Sequence, residues 1–93
     1  MTELSEIRVM IVDDHEIVRR GIAEIVDRAP GLQVVAEAGS VAEALSRAEL
    51  ANPNVVLVDL QLPDGTGIDL IRQLRVLTPN ARMIVLTSFD DDE

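Results

Sequence analysis

Short apolar runs of strand length recur along the chain. The four runs are Ile7–Val12, Gln33–Ala38, Val55–Val58 and Met83–Leu86. Three of the runs contain four consecutive apolar residues instead of an alternating pattern, which is typical of strands that are buried on both faces of a parallel sheet. The run Gln33–Ala38 is more mixed in composition, so we expect it to form an edge strand.

Segments with helical periodicity separate these runs. Between His15 and Ala29 the apolar residues recur three and four positions apart, as on one face of a helix. The sequence Ala29-Pro30-Gly31 is a helix stop. The residues of this segment that we expect in the core are Ile17, Ile22, Ile25 and Val26.

Two further helices begin at capping patterns. Ser40-Val41-Ala42-Glu43 matches a capping box and predicts a helix that ends at Asn52-Pro53. Thr66-Gly67-Ile68-Asp69 is a similar start, and predicts a helix that stops near Thr78-Pro79. The predicted inner positions are Ala44, Leu45 and Ala48 in the first of these helices and Ile68, Ile71, Leu74 and Leu77 in the second.

Strands and helices alternate in the order β-α-β-α-β-α-β. This order predicts an α/β fold with a doubly wound parallel sheet and right-handed crossovers. The sequence stops just after an apolar strand, and a further helix, strand and helix would add roughly 30 residues at average element lengths. We therefore expect residues 1–93 to be one α/β domain that lacks its last third or that a partner completes.

Charge and composition exclude several classes of function. The 93 residues carry a formal net charge of −9 at pH 7, which opposes direct binding to nucleic-acid phosphates. No cysteine is present, so a disulfide framework, a thiolate metal site and a cysteine nucleophile are excluded. No apolar run reaches the ~18 residues of a membrane helix, and residues 1–6 do not resemble a signal peptide.

Candidate chemistry lies where three of the apolar runs end, because ligands bind at the carboxyl ends of strands in open α/β sheets. The first run leads into Asp13-Asp14-His15, the third into Asp59 and the fourth into Thr87-Ser88. These ends should lie at one edge of the sheet, so three carboxylates and a hydroxyl group should converge. Clustered carboxylates repel one another unless a cation lies among them, and their hard oxygen atoms suit Mg²⁺. An Asp beside a metal ion and a hydroxyl donor can act as a nucleophile towards a phosphoryl group.

Simpler structural roles are open for the same residues. Asp13 with Glu16 could cap the helix that follows. Asp59 could belong to a turn, and Thr87 could cap a later helix. We expect His15 to be an exposed first-turn residue and not a ligand, because Mg²⁺ prefers oxygen.

Three segments resemble the receiver domain of two-component response regulators. The segments are Val12-Asp13-Asp14-His15-Glu16, Leu57-Val58-Asp59-Leu60-Gln61-Leu62-Pro63-Asp64-Gly65 and Ile84-Val85-Leu86-Thr87-Ser88. The resemblance covers essentially the whole chain and is strongest to regulators of the LuxR/NarL type, which carry a helix-turn-helix output domain. It implies a CheY-like, flavodoxin-like fold with strand order 2-1-3-4.

The resemblance implies a role for each matching residue. Asp59 is the implied phosphoacceptor, and Thr87, with Ser88 beside it, is implied to bind a phosphoryl oxygen and to act in the switch. The implied Mg²⁺ ligands are Asp13, Asp14, Asp59 and the backbone carbonyl of Gln61. The family also uses a Lys and an aromatic switch residue on a fifth strand. Nothing in this chain matches that Lys, since all eight basic residues are Arg.

These roles imply a cytoplasmic, Mg²⁺-dependent aspartyl phosphoacceptor that is not a turnover enzyme. Its implied partner is a sensor histidine kinase, which supplies the phosphoryl group. The chain would be the N-terminal part of a transcription regulator that binds DNA only through a C-terminal domain and does not bind a membrane. We also expect it to form a homodimer.

Other functions fit parts of the sequence. A haloacid-dehalogenase-type phosphatase needs a second Asp two residues after its nucleophile as a general acid, and this chain has Gln61 there. A nucleotide-binding domain needs a glycine-rich loop after its first strand, which is absent. Two alternatives stay open: a stand-alone phosphorelay receiver, and a non-signalling fragment that dimerises or exchanges strands through the edge strand Met83–Leu86.

Overall fold

Helices and strands alternate as the sequence predicts. In the computed structural model, which describes residues 6–86, the helices are Glu16–Arg28 (α1), Val41–Ala51 (α2) and Gly67–Leu77 (α3). The strands are Ile7–Val12 (β1), Leu32–Ala38 (β2), Val55–Asp59 (β3), Gln61–Leu62 (β4), Gly65–Thr66 (β5) and Arg82–Leu86 (β6). The short antiparallel β4–β5 hairpin was not predicted. Across residues 6–86, no helix combines the length and the apolar character that crossing a membrane requires.

The main sheet contains four parallel strands in the order β2-β1-β3-β6. These are the four predicted apolar runs, so the doubly wound α/β class and the order 2-1-3-4 are confirmed. The strand β2 lies at an edge, as its mixed composition indicates. The central strands β1 and β3 contain the buried strand interiors, whereas no residue of β6 is fully buried although its apolar run is equally long. Neighbouring strands on both sides exclude water from β1 and β3.

Several element boundaries differ from the predictions by one residue. β2 and β6 begin earlier, at Leu32 and Arg82. β3 continues to Asp59, which pairs with Leu86 of β6. The pairing of β3 with β6 therefore fixes the backbone of Asp59, which is a predicted site residue.

Both predicted capping patterns are confirmed. The Ser40 hydroxyl accepts a hydrogen bond from the Glu43 amide at 3.1 Å, and the Thr66 hydroxyl accepts one from the Asp69 amide at 3.1 Å. The Glu43 carboxylate accepts from the Gly39 amide at 2.8 Å, one residue before the position that a standard capping box uses. Side-chain oxygens thus satisfy amide groups that the first turns of α2 and α3 leave without helical partners.

The larger core lies between the sheet and the helices α2 and α3. Its buried residues are Met10, Val12, Ala38, Ala44, Ala48, Val56, Val58, Leu62, Leu70 and Leu74. The predicted inner positions of α2 are confirmed, with Leu45 partly buried against this cluster. In α3 the prediction of Ile68 as an inner residue was wrong: it is exposed, and Leu70 is buried instead, since α3 meets the sheet along the line of Leu70 and Leu74.

A smaller core lies under α1, where Val9, Ile11 and Ala23 are buried. The residues Ile22 and Val26 pack against it as predicted. The prediction that Ile17 and Ile25 lie in the core was wrong, because their exposed fractions are 87% and 72%. The apolar stripe of α1 is wider than its contact with the sheet, which follows the line of Arg19, Ile22, Ala23 and Val26 on one helix face.

Candidate functional site

Acidic side chains converge at the carboxyl edge of the central strands. Asp13 follows β1, Asp59 ends β3, and the two strands are parallel neighbours in which Val12 pairs with Val58. Each of four side chains offers one ligand atom to a cluster in which all these atoms lie within 4.8 Å of one another. The four residues are Asp13, Asp14, His15 and Asp59. The structure therefore brings together the three carboxylates that the strand ends predicted.

Hydrogen bonds engage the amide, the carbonyl and the carboxylate of Asp13. Its amide donates to the carbonyl of Ala38 on β2 at 3.0 Å, and its carbonyl accepts from the Arg19 guanidinium at 2.8 Å. Its carboxylate oxygen Oδ1 accepts from the His15 amide at 2.8 Å. The N-cap of α1 is His15, which makes no side-chain capping bond. The Asp13 carboxylate thus accepts a hydrogen bond from the amide of the N-cap residue, and not from an amide in the first turn of α1.

Asp59 lies beside Asp13 at the same depth, and the exposed fractions of the two residues are 6% and 5%. Burial raises the pKa of Asp59 from its ordinary value, the Gln61 amide opposes this shift, and the charges of Asp13 and Asp14 add to it. The Gln61 amide lies 3.4 Å from Asp59 Oδ1. The carboxylates therefore repel one another, and a cation between them would relieve that repulsion.

The glycine at the start of α3 lets the chain return close to Asp59. The Gly67 amide donates to the Leu60 carbonyl at 2.8 Å. A Cβ at this position would lie 2.3 Å from the backbone oxygen of Asp59, closer than any side chain allows. The close packing of α3 against the end of β3 thus requires glycine at position 67. The sequence patterns did not reveal this requirement.

Asp64, at the tip of the β4–β5 hairpin, fastens this loop to α2. Its two carboxylate oxygens accept from the amides of Val41 and Ala42 at 2.7 and 3.0 Å. These bonds lower the pKa of Asp64, with the Ala42 amide contributing most. The sequence indicated only a turn here, since the contact joins segments that are far apart along the chain.

His15 lies on the outer side of the cluster. It is exposed, as predicted, and its Nδ1 lies 3.0 Å from Asp13 Oδ1 and 3.2 Å from Asp14 Oδ1. The hydrogen bond to Asp13 raises the pKa of His15, and the charges of Asp14 and Asp13 add to this shift. The prediction of the site did not include this contact, although the position of His15 directly after two carboxylates is a signal for it.

The donor set fits a hard divalent cation. Three carboxylates from two strands supply oxygen atoms, which Mg²⁺ prefers to nitrogen or sulfur. The side chain of Gln61 is exposed, and the participation of its carbonyl as a ligand stays a prediction. Thr87 and Ser88 lie outside the described residues, so their predicted contacts with a phosphoryl group also stay predictions.

Comparison with known proteins identifies the family. The sequence pattern of the response regulator receiver domain matches residues 9–93. The chain belongs to this family. The family resemblance inferred from the three motifs is therefore confirmed, and the acidic cluster lies within the matched residues.

Relatives of this receiver domain include transcription regulators. It is 49% identical over 87 residues to the DNA-binding transcriptional activator DevR/DosR of Mycobacterium tuberculosis, which covers 94% of this chain and 40% of the relative. It is 40% identical over 90 residues to the nitrate/nitrite response regulator protein NarP of Escherichia coli, covering 97% of this chain and 42% of the relative. The receiver domain thus spans less than half the length of these curated relatives.

Solved structures show the same fold. A LuxR-family two-component response regulator from Aurantimonas sp. superimposes with a TM-score of 0.82 at 41% identity, covering 89% of this chain and 59% of that chain. The signal receiver domain of NarL from Mycobacterium tuberculosis superimposes with a TM-score of 0.83 at 26% identity, covering 95% of this chain and 71% of that chain. This receiver domain is therefore of the LuxR/NarL type.

Proposed function

We propose that Asp59 accepts a phosphoryl group from the phosphohistidine of a sensor histidine kinase. The observation that carries this proposal is the burial of Asp59 at the end of β3, with carboxylate oxygens of Asp13 and Asp14 within 4.8 Å of its own. A turn residue has no need of two further carboxylates at that distance. A phosphoacceptor does, because its neighbours must hold a cation against the charge of the incoming group.

Each residue of the pocket has a distinct task in the transfer. An Asp59 carboxylate oxygen forms a bond to phosphorus as the bond from phosphorus to the imidazole nitrogen of the kinase breaks, and the imidazole takes up a proton. The Gln61 amide steadies the Asp59 carboxylate. Thr87, with Ser88 beside it, donates a hydrogen bond to a phosphoryl oxygen. The phosphoryl group ends up on Asp59 of the domain itself, so we regard the domain as a signalling protein and not as a turnover enzyme.

Mg²⁺ is the proposed cofactor. Asp13, Asp14, Asp59 and the carbonyl of Gln61 would hold it, and when bound it neutralises charge on the transferring group. Asp13 is suited to this task because its backbone is fixed by β2 and by α1 before any ligand binds. Such preorganisation avoids the cost of ordering the loop during the transfer.

The output is proposed to be control of transcription. The relatives include a protein described as a DNA-binding transcriptional activator, and this domain corresponds to less than half of it. A net charge of −9 opposes DNA binding by the receiver domain itself. DNA would therefore be bound by a C-terminal domain of the longer protein, which we place in the cytoplasm with residues 1–93 as its N-terminal receiver.

Intact mass spectrometry tests the phosphoacceptor directly. The folded chain is incubated with acetyl phosphate and Mg²⁺, beside an Asp59→Asn variant and an Asp69→Asn variant. The last is a matched control, because Asp69 is an exposed carboxylate on α3, where it pairs with Arg72. We expect one added phosphoryl group in the wild type and in Asp69→Asn, and none in Asp59→Asn or without Mg²⁺.

Addition of a phosphoryl group to Asp59→Asn would show that another residue is the acceptor. A wild-type chain that is folded by circular dichroism and gains no mass would contradict the proposal for this chain. It would show that the proposed set of Asp13, Asp14, Asp59 and Thr87 does not suffice without a Lys.

A second candidate function is self-association as an interaction module. Among residues 6–86, the strand β6 forms one of the two edges of the main sheet, and Ile84 and Val85 on it are exposed. An apolar edge strand without Lys or Pro favours pairing with a second copy. Light scattering over a range of concentrations tests this candidate: a dimer supports it, and the mass of one chain at the highest concentration contradicts it.

A further inference from the structure

Arg19 is a largely buried cation beside the acidic cluster, and the proposed phosphoryl transfer does not use it. Its side chain is 17% exposed, whereas that of its neighbour Arg20 is 66% exposed. Arg19 lies on the same face of α1 as the residues that pack on the sheet. Burial of a charge is costly unless partners compensate for it, so the contacts of this side chain require an explanation.

Two hydrogen bonds engage the guanidinium group of Arg19. Nη1 donates to the backbone carbonyl of Asp13 at 2.8 Å, and Nε donates to the Glu37 carboxylate at 3.1 Å. Glu37 belongs to β2, so one side chain joins α1, the loop after β1 and the edge strand. Position 39 leaves room for this arrangement, since a Cβ on Gly39 would lie 3.1 Å from Arg19 Nη1.

The hydrogen bond from Arg19 to the Asp13 carbonyl holds the peptide group between Asp13 and Asp14, whose carboxylates both belong to the acidic cluster. The Asp13 amide is already bonded to Ala38 of β2 at 3.0 Å. The bond from Arg19 to the Asp13 carbonyl restrains the next peptide, between Asp13 and Asp14, so hydrogen bonds hold the backbone on both sides of the Asp13 Cα. The orientation of that peptide sets the directions in which both carboxylates leave the backbone.

We propose that Arg19, anchored by Glu37, is a positioning residue that holds Asp13 and Asp14 in the geometry that binds a divalent cation. This inference rests on the metal site of the proposed function and adds two residues that act through Asp13 without touching the ligand. Groups that orient metal ligands in this way commonly change metal affinity by about 10–100-fold when they are removed.

Electrostatics and positioning predict opposite effects of removing Arg19. A guanidinium near a cation site repels the cation, so loss of the charge alone would strengthen binding. Loss of the bond to Asp13 would weaken it. A residue that only stabilises the fold would lower the unfolding temperature and leave the affinity of the folded molecules unchanged.

Calorimetric titration of the 93-residue chain with Mg²⁺ distinguishes these cases. We expect the dissociation constant to rise by about tenfold or more in Arg19→Met. It should stay unchanged in the matched control Arg28→Met, because Arg28 is an exposed residue of the same helix that pairs with Glu24. Arg19→Lys retains the charge but cannot reach both partners with one planar group, so we expect a smaller rise. Glu37→Gln weakens the anchor and should also raise the constant. An unchanged or lower constant in Arg19→Met and Arg19→Lys would overturn the proposal.

Amide hydrogen exchange in metal-free protein provides a readout that does not depend on the metal. The His15 amide donates to Asp13 Oδ1 at 2.8 Å, so its protection reports the order of this loop. We expect Arg19→Met to speed exchange at His15 relative to the amides of β1, and Arg28→Met to leave it unchanged. If the wild type binds no Mg²⁺, the proposed metal site fails while this exchange still decides the role of Arg19. Equal exchange at His15 in wild type, Arg19→Met and Arg19→Lys overturns that role; if Arg19→Met does not fold, Arg19→Lys decides alone.

Discussion

The two faces of the main sheet are filled to very different degrees. On one face α2 and α3 close over a cluster of ten buried residues. On the other face, within residues 6–86, α1 alone covers a cluster of three, while Ile17 and Ile25 of the same helix remain exposed. The same strands supply both faces, so the helices make the difference. An apolar stripe on a helix marks a core position only where another element lies opposite it.

Truncation of a buried leucine should give the largest contrast between the two faces. Leu74→Ala removes a fully buried side chain from the larger core and should lower the free energy of unfolding by about 2–5 kcal/mol. Its matched control, Ile25→Ala on α1, should change it by less than about 0.5 kcal/mol, because Ile25 is exposed. Urea unfolding followed by circular dichroism measures both. Equal losses would show that α1 is covered in solution.

Addition of one methyl group tests the tight end of the larger core. Gly67→Ala places a Cβ against the backbone oxygen of Asp59, where no flexible side chain can move aside. We expect a loss of about 1–3 kcal/mol from overpacking, together with altered amide shifts at Asp59 and Leu60. The same unfolding assay measures the loss, and a variant as stable as the wild type would show that α3 can shift away from β3.

A glycine-to-alanine substitution on the face covered by α1 should instead raise the free energy of unfolding. Gly21 lies in the interior of α1, and a Cβ there would meet nothing within 4 Å. Because Gly costs about 0.5–1 kcal/mol relative to Ala inside a helix, Gly21→Ala should raise the free energy of unfolding by that amount. A destabilised Gly21→Ala variant would indicate that another part of the protein packs against this surface.

The smallest expected change in stability comes from the Asp64 carboxylate, which joins the β4–β5 hairpin to α2. Folding lowers its pKa below the usual value of 3.8, so the folded state binds the proton less well than the unfolded chain does. The stabilisation is therefore complete above that value and disappears as the pH falls through the folded pKa. Asp64→Asn cannot titrate, so its stability deficit relative to wild type should shrink as the pH falls below about 4. A deficit that is constant with pH would contradict this linkage.

Local patterns predicted most of the fold, and spatial neighbours explain the rest. The apolar runs and the caps at Ser40 and Thr66 are signals within a few residues, so the sequence carries them plainly. The convergence of Asp13 and Asp59 followed from the parallel order of two strands. The exposure of Ile25 depends on which elements lie opposite α1. The contact of Arg19 with Glu37 and that of Asp64 with α2 join segments that are far apart along the chain. No periodicity or spacing encodes such contacts.

The central pairing of β1 with β3 also sets when the pocket can form. Asp13 and Asp59 are neighbours in the sheet, but α1, β2 and α2 lie between them along the chain. Closing a loop of that length costs chain entropy before any contact compensates for it. No fragment that folds locally can bring the two carboxylates together, and a chain emerging from the ribosome must release β3 before they meet. If Asp59 is the phosphoacceptor that we propose, a phosphorylated molecule has therefore already closed the longest loop between neighbouring strands of the main sheet.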